Sequence, residues 1–214
     1  MLLNLKNTVL DLGYKRIVVG SLETNCYILI NKETNESIII DPGAEPGKII
    51  HEIEENNLKP IAIILTHGHI DHCSGVNELR KSYKIDDFLH KDDFKVITSF
   101  ISKEYAKMLN LPLPVKPKKE LKEGKLKIKS IEVEIIHTPG HSPGSITIKA
   151  GKLLFTGDTL FQGSIGRTDL PGGDFKKIQK SLKKLLEFED NSIVLPGHGD
   201  ITTIGQEKQL NPFL

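Results

Sequence analysis

Thr66-His67-Gly68-His69-Ile70-Asp71-His72 follows directly on Pro60-Ile61-Ala62-Ile63-Ile64-Leu65. The first string packs three imidazoles and a carboxylate into six consecutive residues. The second is apolar and rich in β-branched side chains, the pattern of a strand buried on both faces. The cluster therefore sits where a buried strand ends and the chain turns, the position at which α/β sheets gather their ligands. Imidazole and carboxylate together suit zinc, iron or manganese better than calcium, which prefers oxygen alone. His67 and His69 alternate along an extended segment and can bind one ion together. Asp71 and His72 come after the turn has begun and can face a second.

Working outward, residues 15–20, 26–30 and 37–40 read as strands, the last two joined as a hairpin through the turn at 31–35. Asp41-Pro42-Gly43 ends the third strand. Asp41 taken alone caps that turn; beside a metal site it equally serves to hold a ligand histidine. The spacing of Ile49, Ile50 and Ile53 predicts a helix over 45–56, and a second helix is expected over 71–83 with Val76 and Leu79 inward. Cys73 reads as a packed thiol. Residues 91–110 have mostly helical spacing, and the stripe Phe94, Ile97, Ile101, Tyr105 and Met108 is expected in the core, a pocket lining being the other reading. Residues 111–117 form a proline-broken connector. The lysine-dense stretch 116–129, around a turn at Glu123-Gly124, reads as a solvated hairpin or charged edge strand.

The pattern of the opening string then recurs. An apolar strand ends, Gly or Pro turns the chain, and a metal-type side chain follows, at His141, at Asp158 and at His198. Five of the eight histidines lie at such turns, with His137 close by. Several parallel strands depositing donors at one sheet edge would explain the layout.

Composition narrows the field. A chain of 214 residues accommodates one large domain, 1–214, with its own core. Only two cysteines, Cys26 and Cys73, fit a reducing cytoplasm rather than a disulfide framework. Lys plus Arg is 29 and Asp plus Glu is 28, a formal charge of +1. That balance gives no support to a nucleic-acid partner. No secretory signal is read at residues 1–7, and no apolar run is long enough for a membrane span.

The ligand string His67-x-His69-x-Asp71-His72, with His141, Asp158 and His198 downstream, resembles the metallo-β-lactamase superfamily. Thr24-Asn25-Cys26-Tyr27, Asp41-Pro42-Gly43, His137-Thr138-Pro139-Gly140-His141 and Gly157-Asp158-Thr159-Leu160-Phe161 resemble its glyoxalase II-like branch, in particular the short hydroxyacylglutathione hydrolase-like members. The match runs from about Tyr14 to Gly199. The resemblance implies an α/β fold, an αβ/βα sandwich of two mixed sheets flanked by helices. It implies two divalent metal ions, zinc first and iron or manganese as substitutes. By analogy His67, His69 and His141 hold one ion, Asp71, His72 and His198 the other, and Asp158 bridges them. Asp41, His137 and Arg167 would support from outside. Glyoxalase II proper carries a further helical region that helps bind glutathione. None is expected after His198, so the carrier of the substrate is open.

The expected activity is hydrolysis of a small thioester by a hydroxide shared between two ions, with Asp71 orienting the water or passing on its proton. A thiolate leaves unprotonated, since thiol pKa values lie near 8.5, whereas an amide nitrogen needs a proton donor. Arg167 either binds a substrate carboxylate or pairs with Asp169 to brace its loop; bracing is the expectation. Two alternatives remain: a persulfide dioxygenase of the same fold using one iron, whose ligands are a subset of these, and a scaffold that retains metal without catalysis.

Overall fold

The computed structural model describes residues 11–113 and 116–214. The N-terminal stretch read for a signal and the middle of the proline connector lie outside them. The first sheet runs in the order β1 (Leu12–Val19), β2 (Thr24–Asn31), β3 (Glu36–Ile40), β4 (Lys59–Ile64), β5 (Asp86–His90), β6 (Lys119–Leu121). Its first three strands are antiparallel neighbours and its last four are parallel. The second sheet contains β7 (Gly124–Ile128), β8 (Ile131–His137), β9 (Ile146–Ala150) and β10 (Leu153–Gly157). A two-stranded ribbon, β11 (Leu160–Phe161) and β12 (Ser164–Ile165), follows. Then β13 (Ile193–Pro196) and β14 (Thr202–Thr203) complete the second sheet, whose spatial order is β14-β13-β10-β9-β8-β7.

Strand β4 shows why the two sheets lie face to face. Alternate side chains of a strand point to opposite faces. Ile63, with Leu65 just beyond the strand, packs outward with Ile28 and Ile39 against Ile49 and Ile53 of α1 (Pro46–Glu55). Ala62 and Ile64 point inward, onto Ile135, Ile148, Phe155 and Leu195 of the second sheet. On the far side, Leu154 and Val194 pack against Ile178, Leu182 and Leu185 of α6 (Phe175–Leu185). Helix, sheet, sheet and helix therefore stack around three apolar layers, the αβ/βα sandwich expected. Among the described residues no helix is long and apolar enough to cross a membrane.

Several local expectations differ from what is found. The helix expected over 71–83 is two pieces, α2 (Ile70–Cys73) and α3 (Val76–Tyr83). Ser74 turns its hydroxyl back onto the Ile70 carbonyl at 2.7 Å, and the Gly75 amide leaves the helical ladder to donate to Pro42 O at 2.8 Å. The break moors the histidine loop to the Asp41-Pro42-Gly43 turn. There, a Cβ on Gly43 would lie 1.6 Å from the Asp71 carbonyl oxygen, so only glycine allows that approach. Residues 91–110 form α4 (Phe94–Ile97) and α5 (Phe100–Met108), and their stripe is largely not core. Met108 is 71% exposed, Ile101 44% and Tyr105 43%. Strands β6 and β7 flank Glu123-Gly124 but belong to different sheets, so that turn is a crossover between two charged edge strands and not a hairpin. The helix α7 (Ile204–Leu210) was not anticipated; its Glu207 accepts from Thr202 and from the Gly163 amide.

Candidate metal centre

The donors come from both sheets, not from a single row of parallel strands. His67, His69, Asp71 and His72 follow β4 of the first sheet. His141 lies in the connection between the antiparallel β8 and β9. Asp158 and His198 follow β10 and β13, which run parallel to each other. All seven side chains meet at one edge of the sandwich.

They form two groups whose donor atoms lie within 4.8 Å of one another: His67, His69 and His141, and Asp71, His72 and His198. In the first, His69 Nδ1 is 2.8 Å from His141 Nε2. In the second, His198 Nε2 is 3.3 Å from Asp71 Oδ2 and 3.3 Å from His72 Nε2. Asp158 lies between the groups, with Oδ2 3.5 Å from His141 Nε2 and Oδ1 3.4 Å from His72 Nε2.

Backbone and side-chain acceptors aim the rings. His72 Nδ1 is 3.0 Å from Asp41 Oδ2, His141 Nδ1 is 2.8 Å from Arg167 O, and His198 Nδ1 is 3.0 Å from Leu22 O. Each of these acceptors receives a hydrogen bond from Nδ1–H and so points Nε2 at the group. His67 is set by a relay. The Thr66 hydroxyl gives its one hydrogen to Asp41 Oδ2 at 2.6 Å, so it accepts from His67 Nδ1 at 3.1 Å. His67 Nε2, fully buried, then has no hydrogen-bond partner among the described residues, nor has Asp158 Oδ1. A buried acceptor left unmade is costly. Two such acceptors aimed into a nest of imidazole and carboxylate are what a divalent cation satisfies, so the residues fit a metal.

The electrostatics of the same atoms agree. Burial, then the neighbouring imidazoles, push His67 down and His69 to about 4. Burial would lower His72 as well, but Asp158, Asp71 and Asp41 outweigh it and raise the ring to about 10. Burial would raise Asp71, yet His72 and His198 hold its carboxyl well below the usual carboxylate range. The first group therefore favours neutral imidazoles, and the second surrounds the His72 ring with carboxylates, a charge that would equally favour a bound cation.

Asp41 supports the centre directly. It sits at the turn after β3 with φ 50°, in the left-handed region, and takes the Thr66 amide, the Thr66 hydroxyl and His72 Nδ1. Asp41→Asn exchanges one acceptor oxygen for an NH2 group. We expect affinity for a metal at the Asp71, His72 and His198 group to fall about 10- to 100-fold, measured by chelator competition; unchanged affinity would remove Asp41 from the support. Arg167 contributes its carbonyl to His141, while its guanidinium is bound by Asp169 at 2.8 and 2.7 Å. Among the described residues His137 makes no hydrogen bond to any of the seven donors. It stacks on His90 with ring centroids 4.4 Å apart and bonds Pro143 O at 3.0 Å, bracing the loop that carries His141.

Three further groups position the donors; Asp93 is not singled out by the sequence, and Asn25 and Tyr27 stand there only within the string Thr24-Asn25-Cys26-Tyr27. Asp93, fully buried at the start of α4, accepts from the Gly68 amide at 2.8 Å, the Gly144 amide at 2.6 Å and the Ser142 hydroxyl at 2.6 Å. It ties the loop of His67 and His69 to the loop of His141. Asn25 and Tyr27 of β2 hold the His198 turn through Pro196 O and Gly199 O, each contact 2.9 Å. Above the donors opens a cavity of about 610 Å³, with His69, Asp71, His141, Asp158 and His198 in its lining.

The model of the metallo-beta-lactamase superfamily matches residues 19–198. The chain is similar to the hydroxyacylglutathione hydrolase GloC of Haemophilus influenzae, 40% identical over 207 residues and covering 92% of this chain and 96% of that one. Among solved structures it is similar to the BLEG-1 B3 metallo-beta-lactamase, 38% identical with TM-score 0.89, covering 94% of this chain and 99% of that one. It is also similar to TTHA1623 in a di-iron-bound form, 37% identical with TM-score 0.85, covering 94% and 100%.

Proposed function

The chain belongs to the metallo-beta-lactamase superfamily, and from that premise we propose that it is a metal-dependent hydrolase of small thioesters, of the glyoxalase II-like kind. The observation that carries the reading is the position of Asp158 between two three-donor groups on the floor of an open cavity. His67, His69 and His141 would hold one divalent ion, Asp71, His72 and His198 a second, with Asp158 shared. Bound ions of this class acidify water from about 15.7 towards 7 and polarise a carbonyl oxygen. Zinc is the first expectation, and the di-iron form of a 37% identical protein keeps iron as a candidate.

The chain's own residues supply orientation and proton handling. Asp71 Oδ2, 3.3 Å from His198 and lining the cavity, is the carboxylate placed to orient the attacking water and pass its proton on to solvent. One water is consumed. Its oxygen joins the acyl carbon, the C–S bond breaks, and the electron pair leaves on sulfur. A thiolate needs no proton to depart, because thiols ionise near 8.5. An amide nitrogen does, so a thioester is the easier substrate for this site. The GloC relative is named for a thioester substrate, which supports the same choice.

Metal quantification followed by a substrate panel tests the reading. The panel holds S-lactoylglutathione, coenzyme A esters, a cephalosporin, and a persulfide under oxygen monitoring. Two ions per chain and thioester turnover are expected. One iron per chain with persulfide-dependent oxygen uptake, or cephalosporin turnover with every thioester inert, would overturn it. A metal-loaded protein inert towards the whole panel would leave a scaffold.

A further inference from the structure

The cavity above the donors is walled by Leu22 from the β1–β2 turn, Val96, Ile101 and Tyr105 from α4 and α5, Phe161 from β11, and Leu170. The donors His69, Asp71, His141, Asp158 and His198 form its floor, and Ser99 and Ser102 add hydroxyl-bearing side chains to the wall. Two cations line it, Lys95 and Arg167. The Arg167 guanidinium is bound on two nitrogens by Asp169, so a substrate carboxylate would have to compete for it. Lys95 has no ion pair among the described residues. Ile101 and Tyr105, four residues apart on α5, stand on one face of that helix and remain 44% and 43% exposed. Apolar side chains left open around a reactive floor are the lining of a site that desolvates an apolar ligand.

Resting on the thioester reading above, we infer that the cavity selects a thioester by an apolar acyl group, a chain or ring, rather than by the polar thiol carrier. The carrier of a tripeptide thioester bears two carboxylates and an ammonium, and this wall offers such a carrier one unpaired cation. The acyl half is the part of a thioester that can be apolar. Seated on Ile101, Tyr105, Phe161 and Leu170, it would bring its carbonyl down to the donors, while the carrier leaves through the mouth. Acyl groups with more apolar area should gain in kcat/KM until the cavity is filled.

The test uses acetyl, butyryl, hexanoyl and octanoyl thioesters of one small thiol, N-acetylcysteamine, beside S-lactoylglutathione, on metal-loaded protein. We expect kcat/KM to climb about threefold or more per methylene over the first few steps. Ile101→Ser with Tyr105→Ser should flatten that slope; both positions are exposed enough for the variant to fold. Met108→Ser, outside the cavity, should leave it unchanged. A second readout needs no catalysis: the uncleavable octyl thioether of the same thiol should bind the metal-free protein at least tenfold more tightly than the methyl thioether. A flat series, or S-lactoylglutathione preferred to octanoyl thioester, overturns this inference and leaves thioester hydrolysis standing. Equal binding of the two thioethers does the same. No turnover of any thioester overturns the parent reading and this one with it.

Discussion

In Asp158→Ala, hydrolysis of the best thioester is expected to fall by at least about a thousandfold in kcat/KM, or about 4 kcal/mol of transition-state stabilisation. Asp158 is the carboxylate that touches both donor groups, at 3.5 Å from His141 and 3.4 Å from His72. Its loss should therefore lower metal content at both positions. His67→Ala should cost as much activity by a different route. It removes a buried acceptor that has no hydrogen-bond partner among the described residues, and only the His67, His69 and His141 group should lose its ion. The two variants separate by stoichiometry: near two ions per chain in the parent, near one in His67→Ala, one or fewer in Asp158→Ala. Circular dichroism and thermal melts report whether each still folds. Either variant keeping parental turnover with its metal content reduced would sink the two-ion assignment.

Much of this centre is legible along the chain because its chemistry is local. Each donor sits within a few residues of a strand end and a Gly or Pro, so His67 to His72, His141, Asp158 and His198 stand out against apolar flanks. What holds the donors in place is less visible. The Thr66 relay depends on which of two acceptors receives a hydroxyl hydrogen. The mooring of Gly75 to Pro42 depends on backbone atoms that no side chain advertises. Helix α5 shows a different limit. Helical spacing places Ile101 and Tyr105 on one face, but the same spacing serves a core-facing helix and a helix that borders a cavity. Only the neighbours decide between them, and here the neighbour is open space above the donors. The crossover at Glu123-Gly124 is hidden for a related reason. A Gly-bearing turn between two lysine-rich strands looks the same whether the strands pair with each other or part to opposite sheets.

Asp93 is the largest omission, and its removal carries the largest expected loss of stability. A single aspartate at the head of a helical run looks like an N-terminal cap. Instead its two oxygens collect the Gly68 amide, the Gly144 amide and the Ser142 hydroxyl, three donors from two loops distant in sequence. All three bonds are buried. Asp93→Ala leaves the Gly68 and Gly144 amides without an acceptor, while the Ser142 hydroxyl can turn to Ser145 Oγ at 2.7 Å; each unsatisfied buried group costs about 1–3 kcal/mol. Partial relaxation should bring the total to about 3–5 kcal/mol, read in urea as a lower midpoint at unchanged slope. Asp93→Asn is the sharper variant because it keeps the shape. One oxygen can still serve Gly144, but the new NH2 group then faces the Gly68 N–H, donor against donor. The amide should therefore recover only part of the loss. Because Gly68 lies between His67 and His69 and Gly144 follows His141, metal affinity at that group should fall together with stability. A variant that loses stability but binds metal as tightly as the parent would show that the two loops hold their geometry without Asp93.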